Sequence, residues 1–148
     1  MAQSNINKYL PKLQEISLNI SQIECKTYVW QVPKTQYLAG LIVFSGTYLY
    51  GSAGCDDALF IKWRLNEFCE LNSPHTISGL VVDLRNLDYQ WGDDLTIEPE
   101  QLRRFNQPVR VVVTPERYTT FSYVVNTTEL ITDMELAFAE VKNILQAI

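Results

Sequence analysis

A chain of 148 residues, 47% hydrophobic, is enough for one globular domain with a core that needs no disulfide. Its formal net charge of −5, with Arg103-Arg104 as its one adjacent basic pair, argues against a nucleic-acid partner. No apolar run reaches the roughly 20 residues of a membrane helix. The start lacks a secretory pattern. The thiols Cys25, Cys55 and Cys69 are widely spaced around a single histidine, His75. The expectation is a cytoplasmic protein with reduced thiols, no membrane contact, no metal and no cofactor.

An N-terminal extension, residues 1–26, comes first and reads as partly helical. Pro11 suits a first helical position, and Leu13, Ile16, Ile20 and Ile23 recur at helical spacing over residues 11–23. Ser17, Asn19 and Ser21 weaken that pattern. A single domain, residues 27–148, follows. Residues 27–32 and 37–44 are rich in β-branched and aromatic side chains and are parted by Pro33, which predicts two strands. Gly46, Gly51 and Gly54 then break the chain. Asp56 or Asp57 is the expected cap of a helix running to about Leu71. Its core face holds Ala58, Ile61, Leu65, Phe68 and Cys69, while Leu59 and Trp63 fall among the polar residues of the other face.

Residues 79–84 form the next strand, and Asp83 is the one carboxylate in it. A short helix from Pro99 carries Leu102 and Phe105. Residues 109–113 form another apolar strand, 118–125 a short helix, and 129–131 a short edge strand. Thr132 and Glu135 read as a capping box for a last helix, with Met134, Ala137, Phe138, Val141 and Ile148 on one face and Ile144 and Leu145 at its edges. The alternation predicts an α/β fold: a single mixed or mostly parallel sheet flanked by helices.

The segment 78–95 is the candidate site. A buried strand there opens into a loop carrying Asp88, Tyr89, Trp91, Gly92, Asp93 and Asp94. Ligands of open α/β sheets collect at the carboxyl ends of the strands. Aromatic anchors such as Tyr89 and Trp91 dominate interface energetics. Trp63 and Leu59, apolar on a polar helix face, need a cover. Asp57, Leu59 and Trp63 therefore join the loop as one partner-facing surface. Asp83 is expected to be structural, accepting N–H bonds from the loop after it, because a buried carboxylate needs partners. Asp88, Asp93, Asp94, Glu98 and Glu100 match no calcium-loop spacing. One histidine and no Gly-flanked serine elbow argue for no nucleophilic triad.

The order of elements resembles the STAS domain, the family of bacterial anti-sigma-factor antagonists and the cytoplasmic domains of sulfate transporters. The resemblance covers about Tyr37 to Ile148. It rests on the strand Leu80-Val81-Val82-Asp83-Leu84, on Val111-Val112-Val113-Thr114-Pro115, and on the ending Ile131-Thr132-Asp133-Met134-Glu135-Leu136-Ala137. It implies a non-catalytic regulatory module that recognises a protein partner or a second copy of itself. The family's phosphorylatable serine or threonine is missing from Trp91-Gly92-Asp93-Asp94-Leu95. The resemblance then implies that Asp93 supplies a fixed charge where the family makes a removable one. Gly92-Asp93-Asp94-Leu95 also resembles the oxyanion segment of crotonase-like enzymes, which act on acyl-CoA thioesters. The chain is short for that fold, and residues 113–125 hold no glycine for the second half of such a site.

Overall fold

A near-continuous apolar run suits the strand β3 (Ile77–Asp88) to the centre of a five-stranded sheet, where it is buried along most of its length. The computed structural model describes residues 12–49, 52–71, 76–90 and 95–148, with side chains from Gly54 onward in the second of these segments. The spatial order β1-β2-β3-β4-β5 follows the chain. β1 (Glu24–Gln31) and β2 (Leu38–Thr47) form an antiparallel hairpin. β2, β3, β4 (Val109–Val112) and β5 (Leu130–Ile131) are parallel. The mixed α/β sheet matches the expectation, as does the short edge strand at 130–131. Among the described residues no helix is long and apolar enough to cross a membrane.

Crossovers between successive parallel neighbours keep one hand and so stack on one side of a sheet. That side carries α1 (Ser52–Cys69), α2 (Glu100–Arg104) and α3 (Tyr118–Phe121), the last preceded by a 3-10 turn at Pro115–Arg117. Ile61, Leu65, Leu102 and Phe121 pack there against Ile42, Phe44, Leu80, Val82 and Val111. The opposite side holds α4 (Met134–Gln146), whose Ala137, Val141 and Leu145 cover Ala39, Val81 and Val112. Gly79 permits that approach, since a Cβ there would lie 2.8 Å from Val141 Cγ1. The hairpin is tied to α4 by the edge contact of Trp30 with Phe138, centroids 4.7 Å apart, and by Gln146 Nε2 donating to the Pro33 carbonyl at 2.9 Å.

Several expectations are corrected. Residues 13–23 are not helical. Ser17 Oγ accepts from the Asn19 N–H at 3.1 Å and Ser21 Oγ from the Ile23 N–H at 3.1 Å, so the side chains that weakened the helical pattern take up the backbone donors a helix needs. The first strand, expected from residue 27, begins at Glu24, and Ile23 just before it is in the core. α1 begins at Ser52, so neither Asp56 nor Asp57 caps it. Gly54 fits beneath the Leu49 carbonyl, which a Cβ would strike. Phe105 lies beyond α2 and is exposed under the Arg104 guanidinium. The helix expected at 118–125 is one turn, Tyr118–Phe121, because the remaining residues form turns. The cap of α4 is Asp133, not Thr132: its carboxylate accepts from the Leu136 N–H at 3.2 Å. Leu145, not Ile148, completes the buried stripe of α4, and Ile144 and Ile148 are exposed.

Candidate functional site

The carboxyl ends of β2 and β3 meet the first turns of α1: the Tyr48 N–H donates to the Asp88 carbonyl at 3.0 Å, and the Leu49 N–H donates to the Asp57 carboxylate at 2.8 Å. A bulge decides which residues there face outward. Val43 pairs with Asp83, but the next pair is Ser45 with Asn86, so two β3 residues oppose one of β2. One extra residue reverses the in–out alternation. Leu80, Val82 and Leu84 point to the helix side before the bulge, and Leu87 joins them after it. Tyr89 follows Leu87 inward.

Tyr89 is accordingly 1% exposed. Its ring stacks on Phe121 at 4.9 Å and meets Tyr48 edge-on at 4.9 Å. It is a core residue and offers no side chain to a partner, which corrects the sequence expectation. Asp57 is corrected in the same way, being 2% exposed. Its carboxylate accepts from the Leu49 N–H at 2.8 Å and from the Ser21 hydroxyl at 2.5 Å. The aspartate read as a helix cap instead binds three chain segments together.

Asp88 is exposed and pairs with the Arg117 guanidinium at 2.7 Å. Arg117 also donates to the Tyr89 carbonyl. Leu59 is exposed and Trp63 half-buried. Trp91, Gly92, Asp93, Asp94 and His75 lie outside the described residues. Leu95 and Ile97 are in the core.

Arg117 was not legible as a site residue. It lies far along the chain from Asp88, and only the parallel pairing of β3 with β4 brings β4's exit beside β3's end. The same holds for Arg103, which reaches Glu98 at 3.4 Å and Glu129 at 4.0 Å. Burial pushes the Glu129 carboxyl above its usual range, and the guanidiniums of Arg103 and Arg110 oppose the shift. Arg103 also lines a shallow cleft of about 200 Å³ between α1 and the segment after the loop, with Lys62, Asn66, Thr96, Glu98 and Glu100. Interleaved charges of both signs suit recognition of a polar surface.

Asp83 is buried on the α4 side. It receives the Arg85 backbone N–H at 3.0 Å and both arms of the Arg85 guanidinium at 3.0 Å. That forked bond raises the Arg85 pKa further above its ordinary value. The expected structural role of Asp83 is thus filled, with its donors coming from the residue two positions on. Among the described residues no group of three or more His, Cys, Asp or Glu side chains is placed to hold a metal ion.

The thiols differ sharply. Burial pushes Cys25 up to about 11, with Arg64 lowering and Glu67 raising it, and pushes Cys69 up to about 12, with Glu70 adding to the rise. Cys55 is exposed. The thiolate is the reactive form. Titration of the native protein with a disulfide reagent at pH 8 should therefore give one rapid equivalent from Cys55. Cys25 and Cys69 should follow only slowly, and all three should react at once in denaturant. Loss of the rapid phase in any variant other than Cys55→Ser would contradict this assignment.

Comparison of the chain with protein-family models, curated proteins and solved structures finds no match.

Proposed function

We propose that this protein is a non-catalytic, STAS-like interaction or regulatory module. Its partner, another protein or a second copy, meets the strand-end surface made by the 88–95 loop with Leu59 and Trp63 of α1. One observation carries the reading: the buried central strand ends at an exposed, arginine-clamped aspartate beside the start of a helix that leaves Leu59 uncovered. Fixed backbone at a sheet's carboxyl edge, with a loop and a helix start side by side, is where open α/β sheets present recognition surfaces. Asp88, held by Arg117, orients the root of the loop. Asp93, in this reading, contributes a constant negative charge to the contact.

Photo-crosslinking tests the proposal. A photoreactive residue at Leu59 or at Gln90 should trap the same protein in cells that express the chain, while one at exposed Tyr123 should not. Asp93→Asn should weaken that partner's affinity by about tenfold, as loss of one charge at an interface rim does. Different crosslinked species at positions 59 and 90, or stabilisation of the purified protein by coenzyme A or its thioesters, would overturn the reading.

A further inference from the structure

We draw no further inference here: the strongest candidate, the stretch of sheet face beside α4 where the exposed Tyr28 of β1 pairs with the half-buried Leu41 of β2, carries nothing, because nothing in the structure shows what covers it.

Discussion

Replacing Tyr89 by alanine is expected to cost about 3–5 kcal/mol, the range for emptying a buried aromatic site. The ring closes the helix-side core where β3 ends, between Tyr48 at the end of β2 and Phe121 of α3. Removing it strips contacts from both neighbours at once, and both are themselves among the most buried side chains. Neither can collapse far into the gap. Phe121 is fixed by its helical turn, and the Tyr48 N–H is bonded to the Asp88 carbonyl at 3.0 Å. Tyr89→Phe keeps the stack and should cost far less. Tyr123→Ala, at an 84% exposed position two residues past Phe121, should stay within about 0.5 kcal/mol. Urea unfolding of the three variants measures the differences. A cost below about 1 kcal/mol for Tyr89→Ala would mean that the ring is not part of the core.

The same residue shows where sequence reading succeeds and where it stops. Runs such as Leu80-Val81-Val82 and Val111-Val112-Val113 are buried on both faces, and a continuous apolar run announces that directly. The alternation of these runs with helical stretches sufficed for a mixed sheet flanked by helices. Tyr89 failed because its direction depends on the bulge at Leu84–Arg85, and a bulge leaves no composition signal of its own. The spacing Leu84, Leu87, Tyr89 does carry a trace of it, since apolar positions switch there from even to odd numbers. Residues 11–23 failed for a different reason. Four apolar residues fit a helical period, but Ile16, Leu18 and Ile20 fit a strand period equally well, and periodicity cannot arbitrate between two matches. The serines do arbitrate, through the local bonds their hydroxyls make.

The polar residues of the site were harder still. Asp57 looked like a cap because aspartate before an apolar helical pattern usually is one. Its actual partners, Ser21 and Leu49, come from two other parts of the chain, and only the fold brings them within reach. Asp88 was legible as a loop residue, but its arginine was not. Short-range chemistry is written locally in the chain, whereas ion pairs such as Asp88–Arg117 and Arg110–Glu140 are consequences of topology.

Asp57→Ala should therefore be nearly as damaging as the loss of Tyr89, at about 2–4 kcal/mol. The carboxylate is buried and accepts two hydrogen bonds, one from a backbone N–H and one from a hydroxyl. Bonds to a charged acceptor contribute about 1.5–3 kcal/mol, and a buried donor left without a partner adds its own desolvation cost. The Leu49 N–H donates to the Asp57 carboxylate at 2.8 Å and would lose that acceptor, whereas the Ser21 hydroxyl, half-buried, can turn toward solvent. Ser21→Ala should consequently cost only about 1 kcal/mol, part of it from the lost acceptor for the Ile23 N–H. In a double-mutant cycle the pair should couple by about 0.5 kcal/mol, the share of the Ser21→Ala cost that comes from the hydroxyl–carboxylate bond both substitutions remove. Additive losses would show that Ser21 and Asp57 do not hold each other in solution. The chain before β1 would then not be anchored to α1.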